Sequence, residues 1–324
     1  MKAILCERLG PPESLVLADV PVPEPGPGEA LVRVRAAALN FFDTLIIEGR
    51  YQFAPDLPFS PAGELCGEIA GLGPGVSGWR EGQRVLAYLG WGAARDYVVV
   101  PAERLVAVPD ALEDARAAGL SVTYGTTLHA LIDRAAIRPG ETLAVLGAAG
   151  GTGLAAVELG KALGARVIAC ASSGEKLALA RESGADETVN YAEEDLKQRL
   201  KALTGGRGVD VVYDPVGGDL AEQALRATAW EGRFLVVGFA GGAIPKIPLN
   251  LVLLKGCDLR GVFWGAFLER EPARHAANME RLVAWAVDGT VKARVDAAYP
   301  LAQTPAALGR LARREAKGKL VVTP

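Results

Sequence analysis

Residues 143–176, LAVLGAAGGTGLAAVELGKALGARVIACASSGEK, constrain the fold more than any other stretch of the chain. An apolar run, Thr142–Gly147, enters a turn that carries Gly147, Gly150, Gly151 and Gly153. An apolar helical segment over Leu154–Leu163 follows, and then a second apolar run, Arg166–Ala171. Strand, glycine turn, helix and strand within about 30 residues read as a βαβ unit, and two parallel strands need such a crossover. Small residues let the backbone bend tightly and approach a diphosphate, while the first helical turn offers unpaired N–H groups and a positive dipole end. No G-K-[ST] follows the turn, so it is not a P-loop. The expected anion at Gly150, Gly151, Thr152 and Gly153 is a dinucleotide pyrophosphate.

The alternation continues beyond this unit. Helices are predicted over Glu175–Ser183, Glu193–Leu203 and Leu220–Ala229, and strands over Glu187–Tyr191, Val209–Asp214, Phe234–Phe239 and Leu259–Trp264. Such spacing implies a doubly wound parallel sheet with helices on both faces. The first 110 or so residues have a different texture, with short β-branched runs such as "EALVRVRAAAL" and "RDYVVVPAERLVAVP" broken by Gly and Pro. Helical segments follow in "EDARAAGLSVTYGTTLHALIDRAAI" and, near the C-terminus, in "RHAANMERLVAWAVDG" and "TPAALGRLARRE", before a last strand in "GKLVVTP". The organisation expected is an α/β chain in which both ends, residues 1–124 and 263–324, build a β-rich domain around an inserted nucleotide-type domain, residues 125–262.

The second strand ends in Ala171-Ser172-Ser173, where an acid would accept hydrogen bonds from a ribose 2′-hydroxyl. Two hydroxyls, with Lys176 one turn on, suit a phosphate instead, and no carboxylate stands there to repel it. This favours NADP(H) over NAD(H); Ser172 and Ser173 can cap the next helix as well.

Composition narrows the function class. The net charge is −3 and the basic residues form no block, which gives no reason to expect nucleic acid. Cys6, Cys66, Cys170 and Cys257 are scattered with no C-x-x-C pair, which argues against a disulfide framework or structural zinc and fits a reducing cytoplasm. No run of about 18 apolar residues occurs, and the N-terminus MKAILCERLG lacks a signal-peptide core, so no membrane partner is expected.

These residues and their order resemble the medium-chain dehydrogenase/reductase superfamily, in which a GroES-like substrate domain encloses a Rossmann domain. Its zinc enzymes carry a Cys, a Gly-His-Glu and a lobe of four cysteines. Here Asn40 stands at the Cys, Gly63 at the His, Glu64 remains and no cysteine cluster follows, so no metal is expected. The chain is more similar to the zinc-free NADPH:quinone oxidoreductases, zeta-crystallin-like proteins included. "NFFDTLIIEGRY" matches their N-x-x-D-x-x-x-x-x-G-x-Y stretch, "AAGGTG" resembles their A-A-G-G-V-G, and "ETVNYAEEDL" and "VDVVYDPVGG" have counterparts there. The resemblance implies cofactor-lining positions at Tyr51, Gly150, Gly151, Thr152, Tyr191, Val216, Gly238, Phe239, Phe263 and Trp264. It also implies a homodimer that pairs edge strands over Leu259–Trp264.

The activity implied is hydride transfer from NADPH to a quinone or a related α,β-unsaturated carbonyl. Alternatives are a 2-enoyl-thioester reductase of acryloyl-CoA type, and an NADPH-binding crystallin-like protein with little turnover. Without a metal, charge developing on the acceptor oxygen needs hydrogen-bond donors. Tyr51 and Asn40 are the catalytic candidates, the phenol to donate a proton and the amide to orient it or the nicotinamide ribose. A packing aromatic and a loop-satisfying amide are the competing roles. Thr123 could bond near the nicotinamide or sit inside a helix. Lys319 could reach the cofactor or remain a solvated terminal lysine. Asp43 reads as structural, and His129 and His275 as packing or surface residues.

Overall fold

The computed structural model describes residues 1–324. The chain divides into two compact units, Met1–Val122 with Met279–Asp288 and Ala293–Pro324, and Thr123–Asn278 with Gly289–Lys292.

The first unit opens with strands β1 (Lys2–Leu5) and β2 (Val16–Asp19), an antiparallel pair. Its main sheet uses β3 (Glu29–Leu39), β4 (Glu64–Leu72), β5 (Arg84–Tyr88), β6 (Tyr97–Pro101) and β7 (Val106–Ala107). The long strand β3 alternates buried and exposed side chains along its first half, the period-2 signature of a sheet with one wet face. Ala30, Val32 and Val34 from that strand join Leu65, Ile69, Val85 and Val100 in one apolar core.

The second unit holds β8 (Thr142–Leu146), β9 (Arg166–Ala171), β10 (Glu187–Asn190), β11 (Val209–Asp214), β12 (Thr228–Val236) and β13 (Asp258–Gly261). All pairings are parallel and the order is β10-β9-β8-β11-β12-β13. In order of appearance that is 3-2-1-4-5-6, the Rossmann arrangement, with its topological switch between β8 and β11. Strands β8 and β9 are almost wholly buried, as parallel strands covered on both faces must be. The chain then returns to the first unit with β14 (Val295–Pro300) and β15 (Lys319–Thr323), which complete the sheet order β14-β15-β3-β4-β5-β7, with β6 on β3.

Several predicted boundaries move. The helix after the glycine turn starts at Gly151 rather than Leu154, because the glycines are themselves its first turn. Strand β12 starts at Thr228, with Glu231 at φ 57°, so the segment expected to end a helix at Ala229 is already extended. The last parallel strand stops at Gly261: Phe263 and Trp264 leave it, and Trp264 opens the helix Trp264–Arg270. Residues 263–278, expected with the outer domain, belong to the second unit. Their packing explains it: Phe267 stacks on His129 at 3.9 Å, and Asn278 Nδ2 donates to Asp133 at 3.1 Å.

Candidate active site

In the first unit, sheet register builds a polar row. Strand β3 ends at Leu39, which pairs with Leu320 of β15 on one side, while Ala38 pairs with Glu64 of β4 on the other. Glu64 in turn faces Tyr88 of β5. Lys319, Asn40, Glu64 and Tyr88 therefore lie abreast across four neighbouring strands. Lys319 Nζ donates to Asn40 Oδ1 at 2.6 Å and to Glu64 Oε1; Asn40 Nδ2 donates to Glu64 Oε1 at 2.9 Å. The second Glu64 oxygen accepts the Val122 N–H at 2.7 Å. Lys319 and Glu64 side chains are 5% and 0% exposed, so the solvated-lysine alternative is excluded by burial. Burying two charges is costly unless they pair and their remaining polar atoms are satisfied, and this arrangement meets both conditions.

Asn40 also opens the helix Phe41–Ile47, and Asp43 reaches back to accept the Asn40 N–H at 2.7 Å. The other Asp43 oxygen, Oδ1, is buried without a partner. Burial pushes this carboxyl up to about 7, against the pull of the Asn40 N–H and the Lys319 charge. Tyr51 is half-buried, and burial followed by the Asp43 charge raises its phenol above the ordinary value. Its ring stacks on Phe42 at 5.5 Å and meets Phe53 edge-on at 4.9 Å.

Zinc does not fit this row. A Cβ added at Gly63 would lie 2.7 Å from the Gly90 carbonyl oxygen, so backbone fills the space a histidine would need. No three His, Cys, Asp or Glu side chains are grouped to hold a metal ion.

In the second unit, the expected cofactor residues lie just beyond the carboxyl ends of the parallel strands, where ligands of such sheets bind. Gly150–Gly153 follow β8, Ser172, Ser173 and Lys176 follow β9, and Tyr191 follows β10. Val216 comes after β11, Gly238 and Phe239 after β12, and Phe263 after β13. Gly147 has φ +61°, and a Cβ there would meet Val216 Cγ2 at 2.8 Å. A Cβ at Gly153 would collide with the Gly147 carbonyl, whereas one at Gly150 would have no neighbour closer than 3.5 Å. The turn is thus tight on its inner side and open at Gly150, and no side chain caps the helix it starts. These features fit a dinucleotide pyrophosphate on the open side.

Beyond β9, Ser173 Oγ accepts the Lys176 N–H at 3.4 Å, and Lys176 Nζ donates to Ser172 Oγ at 3.3 Å. Capping and the gathering of donors coexist. Glu175 shares the turn but is exposed. Phe263 is 60% exposed, whereas Trp264 is buried. The Trp264 indole packs where a Cβ on Gly125 would meet it at 2.9 Å, and its ring meets His275 edge-on. Thr123 lies buried inside the helix Ser121–Leu128, its carbonyl accepting Thr127 Oγ at 2.7 Å.

A β-rich unit whose polar row lacks a metal-ligand grouping, joined in one chain to a Rossmann sheet, defines a class of Rossmann-fold oxidoreductases. Comparison with known proteins makes it specific. Residues 26–110 match the alcohol dehydrogenase GroES-like domain, and residues 151–284 the zinc-binding dehydrogenase family. A quinone oxidoreductase-like protein 2 homolog of Nematostella vectensis is 36% identical over 325 residues, covering 99% of this chain and 88% of that one. The quinone oxidoreductase of Pseudomonas aeruginosa is 35% identical over 325 residues, 100% of this chain and 99% of its own. The solved Escherichia coli quinone oxidoreductase complexed with NADPH superposes with TM-score 0.92 at 30% identity, covering 100% of both chains. The chain belongs to the zinc-free quinone oxidoreductases of the medium-chain dehydrogenase/reductase superfamily, and is an oxidoreductase.

Sequence reasoning did not bring Lys319 to Glu64 and Asn40, or Tyr88 to their neighbourhood. The one available signal was Glu64 itself, an acid retained where its metal-ligand neighbours are absent.

Proposed function

We propose that the protein is an NADPH-dependent, zinc-free reductase of quinones or related α,β-unsaturated carbonyls. The observation that carries this reading is the gathering of Ser172, Ser173 and Lys176 beyond β9, with no acid ending the strand, beside an uncapped glycine-turn helix. The NADPH complex of the Escherichia coli relative supports the same cofactor.

Bound nicotinamide supplies a hydride, two electrons and one hydrogen, to the electron-poor acceptor. One further proton completes a hydroquinone, and the Tyr51 phenol is the donor assigned to it. Its raised pKa keeps it protonated at neutral pH. Asn40 orients the reacting groups, and Lys319 with Glu64 fixes that amide through the two hydrogen bonds described. In the second unit, Gly150–Gly153 hold the pyrophosphate, and Ser172, Ser173 and Lys176 the 2′-phosphate.

A homodimer forming through the free edge of β13 accompanies this reading. In the helix Asn250–Lys255, which precedes that four-residue strand in sequence, Leu253 and Leu254 are exposed at 79% and 70%, a cost that a second copy would remove. Light scattering on the purified protein reads the oligomeric state.

The activity test follows oxidation of NADPH and NADH by the metal-analysed protein with 1,4-benzoquinone, 9,10-phenanthrenequinone, 2-alkenals and acryloyl-CoA. NADPH-specific turnover of quinones without stoichiometric zinc is expected. Turnover confined to acryloyl-CoA would overturn the acceptor assignment.

A further inference from the structure

Capping the helix Phe41–Ile47 occupies one side-chain oxygen of Asp43 and leaves the other over. Oδ2 accepts the Asn40 N–H at 2.7 Å, whereas Oδ1 has no partner in a residue that is 1% exposed. A charged oxygen buried without a hydrogen bond is costly, and a proton on the carboxyl removes that cost. Hydride transfer and protonation, as assigned above, draw on Asn40 and Tyr51 and give this carboxyl no part.

Burial is the largest influence on the group and brings it up to about 7, so it changes charge in the neutral range. The N–H groups of Asn40 and Ala62 and the Lys319 ammonium of β15 favour the carboxylate, and Glu64 of β4 opposes it. Lys319 and Glu64 are already paired with each other, so neither supplies Asp43 with a full counter-charge. Two phenols feel the Asp43 charge. Burial first, then that charge, raises the Tyr51 phenol. At Tyr88 of β5 burial again comes first, followed by the Tyr51, Asp43 and Glu64 charges, with Arg104 acting the other way. Phe42, whose ring stacks on Tyr51 at 5.5 Å, is the residue before Asp43. One helical turn therefore carries both the support of the Tyr51 ring and the carboxyl.

We propose that Asp43 is a positioning residue that acts through Tyr51, its carboxyl setting how readily the phenol gives up its proton. This rests on the reductase reading above, in which the Tyr51 O–H bond breaks and its proton completes the hydroquinone. Negative charge then grows on the phenol oxygen. A neutral Asp43 leaves that charge unopposed, whereas an ionised Asp43 repels it and makes Tyr51 the poorer acid. Reduction is therefore favoured below about 7 and slowed as pH rises through it.

The test uses the intact protein with Asp43→Asn and Tyr51→Phe, and one of its readouts needs neither NADPH nor acceptor. In protein labelled with carbon-13 at the tyrosine Cζ atoms, Tyr51→Phe identifies the Tyr51 signal by its loss. That signal should shift with a midpoint near 7 in the wild type and stay still over the same range in Asp43→Asn. In turnover of 9,10-phenanthrenequinone, the wild-type kcat should fall about threefold between about pH 6 and 8.5. One pKa step of coupling is tenfold in acidity, and a half-transferred proton feels about half of it on a logarithmic scale. The ratio of the two kcat values should approach one in Asp43→Asn. A role confined to capping the helix would lower kcat at both pH values alike and leave the decline in place. That outcome, or a Tyr51 signal that does not move near 7 in the wild type, overturns the proposal. If the wild type reduces no quinone, the reductase reading fails separately, and the Tyr51 signal still decides whether Asp43 acts on the phenol.

Discussion

Lys319 Nζ lies 2.6 Å from the side-chain oxygen of Asn40, 279 residues away in the chain, and both groups also bond Glu64. An ammonium of the protein's own thus sits among the positions that hold metal ligands in the zinc enzymes this chain resembles. Removing one partner of a buried pair leaves an uncompensated charge, at a cost of about 3–5 kcal/mol. Lys319→Met should lower Tm by on the order of 10 °C by calorimetry. Lys319→Met combined with Glu64→Gln should recover much of that loss, because no lone charge remains buried. A double variant no more stable than the single one would show that packing of the lysine stem, rather than charge, matters.

Steric space at the glycine turn separates two substitutions that look alike in sequence. A methyl at Gly150 meets nothing closer than 3.5 Å, whereas one at Gly153 collides with the Gly147 carbonyl. Gly150→Ala should therefore fold normally, while Gly153→Ala should shift the turn and lower Tm. Gly150→Asp should fold yet lose NADPH binding at least a hundredfold, through charge repulsion at the pyrophosphate. Fluorescence titration reads this, and unaltered affinity in Gly150→Asp would place the diphosphate elsewhere.

The second unit was far more legible in the sequence than the first. Its signals are local: apolar runs, a glycine turn, and helices of ordinary length between them, so existence and type of each element are readable. The helix start at Gly151 was not, because glycine ordinarily argues against helix, and here close packing on Gly147 overrides propensity. The burial of Trp264 depends on a contact with Gly125, over a hundred positions away, that no local pattern signals. The polar row is harder still. It exists because β15 pairs with β3 and β3 with β4, and only that register puts Lys319 beside Asn40 and Glu64. A lysine followed by an apolar strand reads from sequence as a solvated end.

Cofactor preference tests the donors beyond β9. Lys176 Nζ is already bonded to Ser172 Oγ, so the three side chains act together. Ser173→Asp with Lys176→Ala removes a cation and adds a carboxylate at the residues proposed to meet the 2′-phosphate. The NADPH-to-NADH ratio of kcat/KM should fall by more than about tenfold, a loss comparable to one charge-assisted hydrogen bond. Ser173 caps its helix, and aspartate caps equally well, so the fold should survive. An unchanged ratio would move the 2′-phosphate to other residues.

Buried Asp43 and half-buried His275 set opposing pH dependences on stability. Burial pushes the His275 imidazole down to about 4. Between there and its ordinary value near 6.5, the unfolded chain binds a proton that the folded chain does not. Its contribution is complete above about 6.5 and is lost as pH falls toward 4. Asp43 runs the other way. Its carboxyl is raised by burial to about 7, so between about 4 and 7 the folded chain keeps a proton the unfolded chain has released. That contribution is complete below about 4 and is lost as pH rises through 7. In the wild type the two slopes partly cancel between pH 4.5 and 6.5. Removing one exposes the other: His275→Phe, which keeps a ring against Trp264 and Phe267, should give a Tm that falls as pH rises across this window. Asp43→Asn, which can still accept the Asn40 N–H, should give a Tm that rises with pH. Thermal melts at pH 4.5, 5.5, 6.5 and 7.5 separate the cases, and parallel curves for wild type and both variants would mean that neither group titrates as its burial implies.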